Sequence, residues 1–377
     1  MEKIDSVYRT LQQEIDTRMP VGFPESKEGH DIEILKLLFT EEEASIAIHL
    51  SALPETVNRI HKRVQKAGID ISIDTLCKML DGLVNKGAIS GGNGRYSLAQ
   101  FAVGMFEYQA GRISKEFAEQ SIAYVDEVFH KELIKKGVPV QLRVIPIGES
   151  ITPERVVGTY DDVRAMIEGM PGPIATIPCV CRESRDITGT PCTVSDMRRV
   201  CTIFGSTAKA LTNQGLATEV SKQEILGMLD EYRKAGFVLQ PENNLDPSFM
   251  CVCCGCCCGV LTAAKQFPKP AELYHSNYIA NSTAETCSGC GVCAKRCQMD
   301  AITIDEKKAR VNPDRCIGCG NCVPTCKPGA IHLDARSSVV APEKNQMAFY
   351  RKIIMKKRGP AKALVQLIGT TLLGKKF

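Results

Sequence analysis

Nineteen cysteines occur in this 377-residue chain, and all but Cys77 fall into groups with ligand-like spacing. The most regular pattern is Cys287-x2-Cys290-x2-Cys293-x3-Cys297, followed by Cys316-x2-Cys319-x2-Cys322-x3-Cys326. Every cysteine of the first run returns 29 residues later, and Ala301-Ile302 returns as Ala330-Ile331, so one metal-binding unit is duplicated. Three cysteines two residues apart wrap one face of an iron–sulfur cube and leave one iron to be held from elsewhere. The fourth cysteine of each run then ligates the other cluster. On that pattern Cys287, Cys290, Cys293 and Cys326 hold one [4Fe–4S] cluster, and Cys316, Cys319, Cys322 and Cys297 hold a second. Gly289, Gly291, Gly318 and Gly320 are expected to let the backbone approach the sulfides. Two four-cysteine zinc sites are the competing reading, and the complete eight-cysteine duplication favours iron–sulfur ligation.

A second set has no such regularity. It comprises Cys179-x-Cys181-Arg182, Cys192 and Cys201, then Cys251-x-Cys253-Cys254-x-Cys256-Cys257-Cys258. One buried cysteine behaves as a small hydrophobe, which suits Cys77 beside Leu76 and Leu80. Six cysteines within eight residues need another reason, because thiolates that close repel unless a metal neutralises them. These ten are candidate ligands of an additional centre. Adjacent cysteines cannot all point at one metal, so not every one is a ligand. Thiolate-rich ligation favours a further iron–sulfur cluster over zinc, and thiol–disulfide exchange is a third reading. Arg182 and Arg185 would place positive charge beside an anionic centre. Each cysteine group is expected to follow a short strand, ending near Pro178 and near residues 237–239, so that both meet at one sheet edge.

The elements that position these groups read as an α+β multidomain chain. Residues 1–29 form an N-terminal helix and connector, with Val7, Leu11 and Ile15 on one face and Pro20 and Pro24 ending it. Residues 30–135 form a winged-helix-like helical domain. In it Thr40 and Glu43 make a capping box, Pro54 opens a helix, Ser72 caps another that Gly87 stops, and residues 88–98 form a small hairpin. Residues 101–135 are expected to be mostly helical. Residues 136–270 form a cysteine-rich α+β domain, with a strand over 140–147, helices over 160–168, 195–213 and 221–235, and a linker over 268–286. Residues 271–335 form a two-[4Fe–4S] ferredoxin domain, and residues 336–377 a basic amphipathic tail.

Composition bounds the function. The chain is 44% hydrophobic and 24% charged, as in ordinary globular proteins. No apolar run reaches the length of a membrane span, and Met1-Glu2-Lys3-Ile4-Asp5 begins no secretory signal. A cytoplasmic location with reduced thiols is therefore expected. Residues 343–377 carry nine Lys/Arg and one acid, against 38 basic and 42 acidic residues elsewhere. Such a tail can lie peripherally on an anionic membrane surface, at its inner face. The hairpin module offers a helix with Asp74, Lys78, Asp81 and Lys86, formally neutral, so nucleic acid is not an expected partner.

Residues 287–326 closely resemble bacterial-type ferredoxins with two [4Fe–4S] clusters. In that pattern proline directly follows the fourth cysteine. Here Cys326 is followed by Lys327-Pro328, and Cys297 by Gln298-Met299, with all ligands kept. The order of the whole chain resembles a family of 4Fe–4S-binding proteins of anaerobic bacteria and archaea: Met19-Pro20-Val21-Gly22-Phe23-Pro24, Phe39-Thr40-Glu41-Glu42-Glu43-Ala44, the helix–hairpin segment, Cys179-x-Cys181-Arg182, the run at 251–258 and the ferredoxin repeat. The resemblance covers residues 1 to about 335. It implies cluster binding and no defined reaction.

The resulting expectation is an iron–sulfur electron-transfer protein, or an accessory subunit of an anaerobic oxidoreductase. Its cofactors would be two [4Fe–4S] clusters and a further iron–sulfur cluster or zinc, and its partner a redox protein rather than a defined small-molecule substrate. The alternatives are a redox- or iron-responsive winged-helix regulator, and an oxidoreductase whose catalytic centre is the middle-domain cluster. No catalytic residue is singled out, and no G-x-G-x-x-G, P-loop or H-E-x-x-H pattern is present.

Overall fold

A computed structural model describes residues 2–133, 140–151, 158, 161–274 and 276–358. The chain divides into two compact units, Met1–Leu133 with the segment from Ile353, and Ile134–Lys352.

The first unit holds α1 (Glu2–Arg18), α2 (His30–Leu38), α3 (Glu41–Ala47), β1 (Glu55–Thr56), α4 (Val57–Lys66), α5 (Ile73–Lys86), β2 (Ile89–Gly92), β3 (Arg95–Leu98), α6 (Lys115–Tyr124) and α7 (His130–Leu133). Local chemistry sets its boundaries. Thr40 and Glu43 form a capping box at the start of α3, Ser72 accepts from the Thr75 N–H at the start of α5, and Gly87 ends α5 in the left-handed region. The expectation that Pro54 opens a helix is corrected. Glu55 and Thr56 pair with Tyr96 and Arg95 as β1, and α4 starts only at Val57. The helical expectation for 101–135 holds over α6 and α7 but not at its start. Ala102 and Val103 are extended there, and the Gln100 amide donates to the Val103 carbonyl at 2.9 Å. Aromatic packing fixes that bend. Phe101 meets Tyr124 at 5.2 Å and Phe129 at 4.9 Å, and Phe23 of the connector meets Tyr124 at 4.8 Å.

The second unit is built on an antiparallel five-stranded sheet. Its elements are α8 (Val163–Gly169), β4 (Ile174–Pro178), α9 (Val180–Ile187), β5 (Arg199–Phe204), α10 (Gly205–Asn213), β6 (Thr218–Val220), α11 (Lys222–Ala235), β7 (Val238–Pro241), β8 (Phe249–Cys253) and α12 (Gly259–Lys265). The strand order is β6-β4-β5-β8-β7. Ile174, Val200, Phe204, Ile225, Leu229, Tyr232, Phe237 and Val252 pack in its core.

Three expectations change here. Residues 195–213 are not one helix. Val200-Cys201-Thr202-Ile203-Phe204, a run of β-branched and aromatic residues around one cysteine, forms β5 beside β4, and only Gly205–Asn213 is helical. Residues 140–147 make only isolated bridges, Leu142 to Glu242 and Ile145 to Leu239, as an irregular edge along β7 that ends at Pro146. The second cysteine group begins inside β8 rather than after β7.

The unit continues through β9 (Tyr278–Ser282), α13 (Val292–Arg296), β10 (Ile302–Asp305), β11 (Lys308–Val311), β12 (Ile331–Ala335) and the part of α14 (Gln346–Arg358) before Ile353. The linker expected over 268–286 instead carries β9, which pairs antiparallel with β12 from Tyr278 opposite Ala335 to Ser282 opposite Ile331. β10 and β11 form a hairpin in this region. The apolar tail stretch at 363–368 lies outside the described residues. Among the described residues, no helix is long and apolar enough to cross a membrane.

Candidate metal centres

The two cysteine runs fold back on each other. Cys287, Cys290, Cys293 and Cys326 line one hollow, together with Ile304 and Ile331. Cys297, Cys316, Cys319 and Cys322 line another, with Ala280, Ile302 and Ile317. Each hollow therefore takes three cysteines from one run and the last cysteine of the other. Main-chain N–H groups point at the sulfurs. Ala309 donates to Cys287, Ala301 to Cys297 and Ala280 to Cys316, each at 3.3 Å.

Residues 286–340 match the family model of the 4Fe-4S dicluster domain. No curated protein and no solved structure matches the chain. The donor set of the dicluster domain fits such clusters: soft thiolates only, in apolar hollows, with N–H donors to the sulfurs. The expected role of the glycines changes in one respect. A Cβ on Gly318 would stand 2.3 Å from the Tyr278 carbonyl oxygen, and its φ is 68°, so glycine here serves a left-handed turn pressed against β9. Backbone N–H donors from Ala309 and Gly289 lower the Cys287 thiol below its ordinary range. Burial, with the neighbouring Cys297 charge, pushes Cys319 up to about 12. A thiol that resists ionising alone is one that a metal must deprotonate on binding.

Apart from Cys77, the ten remaining cysteines divide into two sets. Cys192 comes from the loop after α9, and Cys254, Cys256 and Cys257 from the turn after β8; their sulfurs all lie within 4.8 Å of one another. Cys192 is 3.6 Å from Cys254 and 3.7 Å from Cys256, and Cys256 is 3.5 Å from both Cys254 and Cys257. Four thiolates about 2.3 Å from one tetrahedral zinc stand about 3.8 Å apart. This set therefore has the dimensions of a single-ion S4 site, which suits zinc or one iron. The other six stand elsewhere: Cys179 between β4 and α9, Cys181 in the first turn of α9, Cys201 on β5, Cys251 and Cys253 on β8, and Cys258 at the start of α12.

Arg182 lies beside both sets. It is fully buried, 4.2 Å over the Phe237 ring, and donates from Nη2 to the Val252 carbonyl at 3.1 Å and from Nη1 to the Met197 carbonyl at 3.4 Å. Its Nε has no hydrogen-bond partner. Burial opposes its charge, and the nearby Cys179 and Cys254 thiolates outweigh that and raise its pKa. In return, hydrogen bonding from Cys257 and the Arg182 charge hold Cys254 down at about 4, against the opposing effect of burial. The charge of this buried cation is matched here by sulfur. Arg185 is only half-buried.

Three residues that contact the candidate centres were not legible as such. The Gly255 N–H, between Cys254 and Cys256, donates to Gln298 Oε1 at 2.7 Å. The Asn321 amide donates to the carbonyls of Gly236 at 3.0 Å and Phe237 at 3.1 Å, and sits 3.7 Å from the Cys319 sulfur. These residues join the dicluster domain to the sheet at its cysteine-rich end. Glutamine in place of proline after Cys297 was the one sequence signal for that contact.

Proposed function

We propose that this chain is an iron–sulfur electron-transfer protein in which the dicluster domain exchanges single electrons with a thiolate-held metal centre of the sheet domain. The carrying observation is the direct seam between them, Gln298 on Gly255 and Asn321 on Phe237, which puts the Cys297 loop against the second cysteine group and the Cys319 loop against the start of β7. A [4Fe–4S] cluster in each dicluster hollow supplies one-electron redox chemistry when bound. The chain's residues hold and tune it. Cys287, Cys290, Cys293 and Cys326 form one ligand set, and Cys297, Cys316, Cys319 and Cys322 the other. Their N–H···S donors favour the more negative, reduced form.

Cys326 lies on the hollow away from this seam, and Cys290 is exposed, which makes that hollow the entry side for a redox partner protein. The anaerobic oxidoreductase setting and the membrane-directed tail belong to the same reading. The helix–helix–hairpin run of the first unit serves as a docking module of winged-helix type rather than as a DNA reader, since its second helix has no basic excess. The test is anaerobic reduction of the full chain with a low-potential one-electron donor, followed by EPR. The reading requires the signals of a coupled cluster pair; a chain that takes up no electrons under these conditions overturns it.

A further inference from the structure

Six buried or half-buried thiols converge from four elements without joining the compact single-ion set. The antiparallel register that sets Thr202 opposite Met250 brings Cys201 of β5 beside Cys251 of β8, and Cys253 follows on the same face. Cys179 directly follows β4, whose Ile177 pairs with Cys201. Its thiol interacts with those of Cys181 and Cys201. Cys201 interacts in turn with Cys251, Cys251 with Cys253, and Cys253 with Cys258. The Cys258 charge also acts on Cys181, so the six thiols form one electrostatically linked ring. Gln240, the cross-strand partner of Cys251, points its amide at Cys258 at 4.0 Å.

We propose that Cys179, Cys181, Cys201, Cys251, Cys253 and Cys258 form a separate centre that takes an iron–sulfur cluster, beside the single-ion set of Cys192, Cys254, Cys256 and Cys257. The argument is one of size. One tetrahedral ion needs its sulfurs close together, and among the described residues the set with all sulfurs within 4.8 Å is the four-thiol one. Among the described residues no three sulfurs of the ring meet that limit, nor do any three of the eight cysteines within the stretch that matches the 4Fe-4S dicluster domain. Ligands of a cluster each hold a different iron and are splayed apart by it. The ring is all sulfur, which suits iron–sulfur chemistry over harder ions. Arg182 supplies the charge: it neighbours Cys179 and Cys253 of the ring and Cys254 of the four-thiol set, so one buried cation serves both. Four thiolates complete a cubane, so six accommodate a cubane with two unligated thiols or a larger cluster, and in either case at least about four iron.

The inference rests on the iron–sulfur reading of the chain but not on where electrons travel. Its test is a metal inventory of the full chain purified anaerobically: iron, zinc and acid-labile sulfide, with native mass spectrometry. The wild type should carry at least about twelve iron and about twelve sulfide, plus one ion without sulfide. Cys201→Ser/Cys251→Ser should lose about four iron with matching sulfide and keep the dicluster EPR signals. Cys256→Ser/Cys257→Ser should lose one ion and no sulfide. Because β8 is a core strand, Cys181→Ser/Cys258→Ser, at two helix starts, provides the same comparison should the first pair misfold. A wild-type count of about eight iron and eight sulfide overturns the proposal, as does zinc in the ring. Failure of the dicluster clusters to reduce would instead remove the electron-transfer reading and leave the ring's iron count standing.

Discussion

The main-chain N–H of Gly255 donates to the side chain of Gln298 at 2.7 Å, tying the turn between Cys254 and Cys256 to the residue that follows Cys297. The fit is close on the other side as well, since a Cβ on Gly255 would stand 2.2 Å from the Gln298 carbonyl oxygen. Gly255→Ala must therefore push the dicluster loop off the sheet domain, at about 1–3 kcal/mol of overpacking. Gln298→Ala leaves the Gly255 N–H without its partner and costs about 1–3 kcal/mol. Anaerobic denaturant unfolding checks both, and wild-type midpoints in the two variants would refute the seam.

Cys290 and Cys319 sit in different hollows. Cys290→Ser should remove or convert one cluster and Cys319→Ser the other, each with a loss of up to about four iron, while the sheet-domain metal stays. Iron analysis with EPR of the reduced variants reads this. Unchanged iron and spectra would show the ligand assignment to be wrong.

Arg182 is the only cation described as buried among the sheet-domain thiols. Arg182→Met leaves those thiolates uncompensated, a loss of about 3–5 kcal/mol for a broken buried pair. The sheet-domain metals should then leave first during chelator challenge, with the dicluster iron retained. Arg182→Lys should rescue only in part, because an ammonium cannot reach the Val252 and Met197 carbonyls and the sulfurs together. Chelation kinetics identical to wild type would contradict this role.

The capping box of α3 gives the first unit a pH dependence. Burial tends to raise the Glu43 carboxyl, but hydrogen bonds from Lys86 and the Thr40 N–H outweigh it and hold the pKa below its ordinary value. A depressed folded pKa stabilises above the unfolded carboxylate range, and that stability is lost as pH falls through the folded value. Thr40→Ala should cost about 1 kcal/mol at neutral pH. Glu43→Gln should cost about 0.5–1 kcal/mol there, given the half-exposed Lys86, and progressively less in acid. A penalty for Glu43→Gln that is constant from neutral pH to below the carboxylate range would exclude this linkage.

Residues with fixed local chemistry were readable from the chain. The duplicated cysteine runs, the Thr40–Glu43 box and the Ser72 cap depend on neighbours a few positions away. What escaped was non-local. β5 was hidden because its short apolar run also fits a buried helix, and only pairing with β4 and β8 decides it. β9 reads as a linker until β12, about 50 residues on, supplies its partner. The division of the ten middle cysteines into two sets depends on strand register and on the Cys192 loop, which spacing cannot reveal. The departure from proline at Gln298 was visible, and its contact with Gly255 was not.

The account stands most directly on where a limiting number of electrons goes. The full chain, prepared anaerobically, would be reduced with one to two electron equivalents and followed by freeze-quench EPR and Mössbauer spectroscopy. Electrons entering the dicluster domain should be shared with iron held by the sheet-domain cysteines, and Gly255→Ala should slow that sharing. Electrons confined to the dicluster domain, with the sheet-domain metal unchanged at full reduction, would contradict it.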